Sequence, residues 1–184
     1  MIVYFGAMRE FEHDNKESLV QNEINNIGTI GVWFTSDINS AKAYAIGTEK
    51  VFEQSDTEFW EDGEPKVIEV ERQVMGFIYK AYIHEPQLKI YESNTFDNYE
   101  LFMNDRDVFC DYFSKKKRKL TWKDHAILLN KEEANMKFRN HLIRQGYEGF
   151  LIPNCKQQHG ETELGCLFSV DAFHISEIIP VDAI

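Results

Sequence analysis

Apolar and polar residues alternate with a period of two in several short segments of the chain, which is the pattern of half-buried β-strands. The clearest segment is residues 66–72, where Ile68 and Val70 alternate with Glu69 and Glu71. Further strands are predicted at residues 2–5, 32–35, 74–83 with a bend at Gly76, 87–91, 150–153, 164–170 and 175–181.

Helical spacing of apolar residues predicts helices between these strands. The predicted helices are residues 10–26, 38–46, 98–113, a stretch beginning at Thr121 or Asp124, and 132–145. Ser36 or Asp37 can cap the helix at 38–46, because either side-chain oxygen can accept hydrogen bonds from free amides of the first turn. Gly146 is a good terminator for the last helix, since glycine readily adopts the left-handed conformation found there.

Two polar segments predict loops. Residues 52–65 (FEQSDTEFWEDGEP) are acidic and rich in turn formers, which predicts an exposed loop or insertion, and residues 154–160 predict a second polar loop. Because strands and helices mix without regular βα alternation, the pattern favours an α+β fold with largely antiparallel sheets. The chain of 184 residues fits a single domain spanning 1–184, since domains commonly run to about 100–200 residues.

The chain is acidic, with a formal net charge of −11. This charge argues against binding to a nucleic-acid backbone, which requires a positive surface. No apolar run approaches the roughly 18 residues of a membrane span, and the first residues lack the apolar stretch of a signal peptide. The basic run at residues 115–119 (KKKRK) is interpreted as a solvated loop in an otherwise acidic protein.

Cysteine and histidine spacing gives no metal-binding signal. The three cysteines are widely separated without a CxxC motif, so they predict neither a zinc site nor a disulfide framework. The histidines show no spacing of the HExxH type. We therefore predict reduced thiols in a cytoplasmic protein without a metal site. The negative net charge predicts that the protein acts on a small molecule or binds a basic partner.

The segment GVWFTSDINSAKAYA, residues 31–45, combines an aromatic strand end, a small-hydroxyl turn and a helix start. Two interpretations remain open for it. In the first, Trp33 belongs to the core and Ser36 caps the following helix. In the second, Trp33 offers a flat face and Thr35 and Ser36 offer hydroxyl groups, so that the segment forms one wall of a nucleotide pocket.

Four segments follow one another in a suggestive order: VYFGA, GVWFTSDINSAKAYA, the strand pair VIEVERQVMGFIYKAYIHEPQLKIYES, and finally GYEGFLIPN with ETELGCLFSVDAFHISEI. This order resembles the ADP-ribosyltransferase superfamily, particularly its branch related to poly-ADP-ribose polymerases and the similar domains of phage and bacterial proteins. The resemblance implies a split β-sandwich of two mostly antiparallel sheets with flanking helices, and NAD as substrate.

The resemblance also assigns roles to individual residues. Phe5 stands where the family has a histidine or arginine that grips the nicotinamide-side ribose, and Trp33 stands where an aromatic residue stacks on nicotinamide. Two alignments of the family's catalytic glutamate are open. One places Glu163 there, with Glu161 two residues before it on the same side of an extended chain, and the other places Cys166 there.

The resemblance implies one catalytic residue and a set of residues that bind the cofactor. Glu163 is the preferred catalytic residue, and the resemblance implies that its carboxylate stabilises the positive charge that develops as nicotinamide leaves. The cofactor-binding residues implied by the resemblance are Tyr4, Phe5, Gly6, Trp33, Thr35, Ser36, Tyr44 and Glu161.

Two functions are compatible with these assignments. The first is an NAD-dependent mono-ADP-ribosyltransferase that modifies a macromolecular acceptor in phage–host or bacterial conflict. The second, favoured by Phe5 and by the net charge of −11, is a catalytically silent module of the same fold. Such a module would bind a nucleotide without turnover, or a protein partner, for example as an inhibitor of a host defence system.

Overall fold

The computed structural model describes residues 1–8, 30–117, 131–157 and 160–183, which form nine strands and three helices. The strands are β1 (Ile2–Ala7), β2 (Val32–Thr35), β3 (Ile46–Phe59), β4 (Pro65–Met75), β5 (Phe77–Ile83), β6 (Leu88–Ile90), β7 (Gly149–Gln157), β8 (Gly160–Leu167) and β9 (Phe173–Pro180). The helices are α1 (Ile38–Ala45), α2 (Asn98–Lys117) and α3 (Lys131–Arg144).

Seven of the strands form one sheet in the order β6-β7-β8-β2-β1-β5-β9, and β3 pairs with β4 in a second sheet. Every pairing is antiparallel except that of β6 with β7. The α+β class and the largely antiparallel pairing predicted from the sequence are therefore confirmed. The sheet order places β8, β2 and β1 side by side, although β8 lies far from the other two in sequence.

Helices α2 and α3 cover one face of the sheet over β7, β8 and β2. Phe102 of α2 stacks on Phe150 of β7 with ring centroids 4.6 Å apart, and Phe138 of α3 contacts Phe102 edge-on. All three rings are fully buried. This aromatic cluster therefore fixes both helices against the sheet. In the described part of the chain, no helix is both long and apolar enough to cross a membrane.

The opposite face of the sheet is curled around a second core. Phe34 of β2 and Phe173 of β9 have ring centroids 6.0 Å apart, although β1 and β5 lie between their strands. Three strand spacings would span about 14 Å in a flat sheet. The sheet therefore bends strongly, and Phe5 is enclosed within the bend, where it stacks on Tyr79 at 5.0 Å.

Helix α1 packs closely on β1 at the helix-covered face. A Cβ atom added to Gly6 would lie 2.1 Å from the carbonyl oxygen of Ala41, so glycine permits this approach of helix and strand. Ala41 and Ala45 are fully buried against the sheet together with Ile78. This packing holds the first turn of α1 beside the end of β2.

Most predicted elements are confirmed within one to three residues at their starts, but each of the three predicted loops contains residues of a strand or helix. Residues 115–117 of the predicted solvated loop belong to α2. Residues 52–65 are mostly exposed, as predicted. The predicted loop at 52–65 is mainly the outer half of β3, and β7 continues through the predicted loop at 154–160 as far as Gln157. Cross-strand pairing extends both strands beyond the apolar positions that the sequence pattern detects. The predicted helix at 10–26 and the helical start at Thr121 or Asp124 lie outside the described residues.

A charged network ties the sheet edge to α2. The Nζ of Lys89 and the hydroxyl of Tyr91 each donate to Oδ2 of Asp105 at 2.7 Å. Burial alone would raise the pKa of Asp105, but the hydrogen bonds from Lys89 and Tyr91 outweigh it, so this pKa lies below its usual value. Burial, with the bond to Asp105, raises the pKa of the Tyr91 hydroxyl. The charged form of Asp105 therefore stabilises the fold.

We expect Asp105→Asn to lower the free energy of unfolding by about 1 kcal/mol at neutral pH, because two hydrogen bonds lose their charged acceptor. The lowered pKa means that this contribution is complete above 3.8, the ordinary value of the carboxyl group. It is lost as the pH falls below 3.8 through the folded-state pKa. Urea unfolding at neutral and strongly acidic pH measures both effects.

The control for this prediction is Asp56→Asn, which removes an exposed carboxylate on β3. It should leave the stability unchanged at both pH values. A difference between wild type and Asp105→Asn that stays the same in acid would contradict the proposed role of the charge.

Candidate functional site

A polar cavity of about 730 Å³ opens where the end of β2, the first turn of α1, the start of β8 and a bulge of β7 meet. Its walls carry carboxylate, hydroxyl and amide groups. The lining residues are Ser36, Asp37, Asn39, Ser40, Asn154, Glu161, Thr162 and Glu163.

The turn between β2 and α1 forms one wall of the cavity and is held by its own side chains. The backbone amide of Asp37 donates to Oγ1 of Thr35 at 3.2 Å. Oδ2 of Asp37 accepts from both the amide and the hydroxyl of Ser40 at 2.8 Å, so Asp37 is the N-cap of α1. Ser36 lies between these two anchors and is exposed at the cavity.

The start of β8 forms the opposite wall. Thr35 is in register with Leu164, and the Thr35 and Thr162 hydroxyl oxygens lie 3.0 Å apart, within hydrogen-bonding distance. Because side chains alternate along a strand, Glu161 and Glu163 lie on the side opposite to Thr162. Both acids line the cavity, as their i, i+2 spacing predicted.

Asn154 completes the cavity from β7. Its φ angle is +51°, in the left-handed region, and the β7–β8 register shifts between Ile152 and Cys155. Asparagine adopts this conformation more readily than most residues other than glycine. Bulges and left-handed residues of this kind re-aim side chains and are concentrated at functional sites.

The cavity favours positive charge. Among its eight lining residues, Asp37, Glu161 and Glu163 carry carboxylates, and none of the eight is basic. One oxygen of Asp37 is engaged in capping α1, so Glu161 and Glu163 are the acids best placed to meet a ligand. The arrangement can stabilise a cation, or a group that becomes cationic during a reaction, and it can hydrogen bond to hydroxyl groups.

Of the residues that the resemblance assigns to the cofactor, Ser36 and Glu161 line this cavity together with the catalytic candidate Glu163. Thr35 is not a lining residue of the cavity, but it is buried and its hydroxyl lies within hydrogen-bonding distance of the lining residue Thr162. The structure therefore brings together the polar part of the predicted site.

The aromatic part of the predicted site lies elsewhere. Trp33 packs edge-on against Phe102 and Phe150 in the core under the helices, with ring centroids 5.8 Å and 5.2 Å away. Phe5 is buried in the core on the other face of the sheet, against Tyr79. The core interpretation of Trp33 therefore describes its position, although the helix cap is Asp37 instead of Ser36.

The remaining assigned residues surround α1. Tyr4 packs against the core formed by Ala41 and Ala45, and Gly6 gives the backbone of α1 room to approach. Tyr44 is exposed on the helix. None of these three is a lining residue of the cavity.

The two alignments of the catalytic glutamate have different structural consequences. Cys166 is fully buried beneath the helices and is in register with Trp33. Glu163 lines the cavity. The Glu163 alignment is therefore the one that gives a ligand access to the side chain.

Sequence reasoning missed part of the site. Asp37 was considered only as a helix cap, and Asn39, Ser40 and Thr162 were not identified. Asn154 was placed in a loop, although the Pro153–Asn154 pair next to an apolar strand is a recognisable signal of irregular backbone. The bulge itself depends on the register of β7 with β8, which the local sequence does not specify.

Comparison of the chain with protein-family models, with curated proteins and with solved structures finds no match.

We expect the backbone at Asn154 to be sensitive to a β-branched residue. Asn154→Val should lower the free energy of unfolding by about 1–2 kcal/mol, because a left-handed conformation is costly for residues other than glycine and asparagine. Asn154→Gly should change the free energy of unfolding by no more than a few tenths of a kcal/mol, because glycine readily adopts this conformation. Urea unfolding of the two variants measures the difference.

The matched control is Asn94→Val, at an exposed position that does not have a positive φ angle. It should be close to neutral. Equal effects of valine at positions 94 and 154 would show that the left-handed backbone at the cavity is not maintained.

Proposed function

We propose that this chain is an ADP-ribosyltransferase-like protein that cleaves NAD at the cavity beside the end of β2 and the start of β8, with Glu163 as the catalytic carboxylate. The observation that carries the proposal is the meeting of Ser36, Glu161 and Glu163 in one cavity. These residues come from two segments far apart in sequence, and the resemblance assigned them to the same site.

The sheet order supports the same proposal. The segments that carry the resemblance contribute all seven strands of the main sheet, whereas β4, which lies in the third segment, pairs with β3 in the second sheet. The turn after β2, the first turn of α1 and the start of the adjacent strand β8 carry hydroxyl and carboxylate groups at the cavity. The neighbouring positions of β8, β2 and β1 in the sheet support the proposed site, because they bring these segments together.

The charge of the cavity fits one end of NAD. The nicotinamide ring of NAD is cationic, so three carboxylates attract it, whereas the diphosphate is repelled and lies outside the acidic wall. The hydroxyl of Ser36 and the amide of Asn154 provide hydrogen-bonding partners for the ribose hydroxyls. This orientation brings the glycosidic bond towards Glu163.

In the proposed reaction the bond between ribose C1′ and the nicotinamide nitrogen breaks, and its electron pair leaves with neutral nicotinamide. Positive charge develops on the ribose, and the carboxylate of Glu163 stabilises it. A carboxylate at about 4 Å contributes roughly 4 kcal/mol at an effective dielectric constant near 20. An acceptor nucleophile then bonds to C1′ and gives up its proton, for which Glu161 is the adjacent base.

We expect wild-type protein to release nicotinamide from NAD, and Glu163→Gln to lose this activity by about 100-fold or more, because its amide cannot balance the developing charge. Chromatographic measurement of nicotinamide, with basic proteins and nucleic acids offered as acceptors, checks the result. Glu71→Gln, at an exposed position of β4, makes the same change away from the cavity and should retain activity.

Absence of nicotinamide release by wild-type protein with every acceptor would count against an enzyme. Equal activity of Glu163→Gln and Glu71→Gln would reject Glu163 as the catalytic carboxylate.

A second function is favoured by a specific observation. Phe5 and Trp33, which stand at the family's ribose-gripping and stacking positions, are both committed to core packing. We therefore keep a catalytically silent module of the same fold as the alternative. It would bind a nucleotide without cleaving it, or act through a protein partner.

The two functions differ in a calorimetric titration with NAD. A silent nucleotide binder gives saturable heat without nicotinamide release, and the binding survives in correctly folded Glu163→Ala. Release of nicotinamide by the wild type together with its loss in Glu163→Ala would reject the silent module.

A further inference from the structure

The β3–β4 hairpin is a long ribbon that stands apart from the main sheet. Its strands pair with each other from Ile46–Met75 to Gln54–Val67 and again near the turn. Within the described residues, neither strand pairs with the seven-stranded sheet. In the part of the chain that the structure describes, both outer edges of the ribbon therefore carry backbone groups that are available to another strand.

The ribbon exposes apolar side chains along one face and at its tip. Phe52 is 73% exposed, and the exposed Val67 lies on the same face, because Phe52 is opposite Glu69 and Gln54 is opposite Val67. At the tip, Trp60 is 59% exposed beside Phe59, which is also exposed. Exposed apolar patches of this kind, rimmed by polar groups, mark interaction surfaces.

The negative charge of the ribbon favours a positively charged partner. Residues 46–75 contain nine carboxylate side chains and three basic ones, a net charge of −6 out of −11 for the chain. Each basic side chain contacts a carboxylate of the ribbon: Lys50 with Glu69, Lys66 with Glu58 and Arg72 with Glu53. The carboxylates that remain give the ribbon a negative charge. This charge repels a second copy of the ribbon and attracts a cationic strand.

The tip of the ribbon shows how such a cation is held. Nζ of Lys66 lies 5.4 Å from the centre of the Trp60 ring and 3.5 Å from a carboxylate oxygen of Glu58. An aromatic face and a carboxylate therefore already bind one ammonium group at this position.

We propose that the ribbon binds an extended segment of another protein in which lysine or arginine alternates with apolar residues, added as a third strand along a free edge. Backbone hydrogen bonds supply the pairing, Phe52 and Val67 contact the apolar side chains, and the carboxylates pair with the basic ones. None of the residues lining the cavity belongs to β3 or β4. The proposal is thus independent of NAD cleavage, and either can fail without the other.

The test uses a fluorescent peptide of about ten residues, the length over which β3 and β4 pair, with arginine alternating with valine. Fluorescence anisotropy should show saturable binding to the full-length protein. A peptide with glutamate in place of arginine should not bind. Failure of the arginine peptide to bind the wild-type protein would overturn the proposal.

Two pairs of variants locate the binding surface. Phe52→Ser should weaken binding by about tenfold, as expected for the loss of a central aromatic contact. Phe96→Ser, at a residue that is 70% exposed outside the ribbon, should leave the binding of the peptide unchanged.

The second pair of variants tests the contribution of charge. One variant replaces glutamate by glutamine at three positions of the ribbon, Glu58, Glu61 and Glu64, and the control makes the same change outside it, at Glu85, Glu92 and Glu100.

The ribbon triple variant should bind the arginine peptide at least about tenfold more weakly than its control triple, and circular dichroism should show that all variants are folded. Equal affinity of ribbon and control variants would overturn the assignment of the surface. Analytical sedimentation gives a second outcome that would overturn the proposal. If the wild-type protein self-associates through Phe52 and the peptide does not bind, the ribbon binds a second copy of the chain and not another protein.

Discussion

The pairing of β2 with β8 determines which of their side chains face each of the two cores. It places Phe34 opposite Gly165 and Trp33 opposite Cys166. A Cβ atom at Gly165 would lie 2.1 Å from the ring of Phe34, so this glycine makes room for the aromatic residue in the curled core. If the pairing of β2 with β8 shifted by one residue, every side chain of β2 would move to the other face of the sheet. Thr35 would then be buried in the curled core in place of Phe34.

The same pairing creates the candidate site. The Trp33 and Cys166 positions are covered by helices, and the strand ends beyond them turn polar and meet at the cavity. Asp37 fixes one wall by capping α1, and the irregular backbone at Asn154 shapes another. The position of Glu163 at the cavity therefore depends on the register that is fixed by packing at Gly165 and Cys166, two and three residues further along β8.

Much of the fold follows from local patterns, but the location of the site follows only in part. The strand at 32–35 and the helix end at Gly146 were predicted because apolar runs and glycine act locally. The role of Trp33 was left open, since a sequence does not show which face of a short strand the helices cover. The outer half of β3 was missed because its stability comes from pairing with β4 and not from an apolar pattern.

In the proposed function, the nicotinamide end of NAD enters the cavity beside the end of β2 and the start of β8. Two-dimensional amide NMR during titration with NAD tests it most directly. If NAD binds there, the amide signals of Ser36, Asn154 and Glu163 shift together and saturate. Shifts confined to the surroundings of Trp33 and Cys166, or no shifts at saturating NAD, would contradict it.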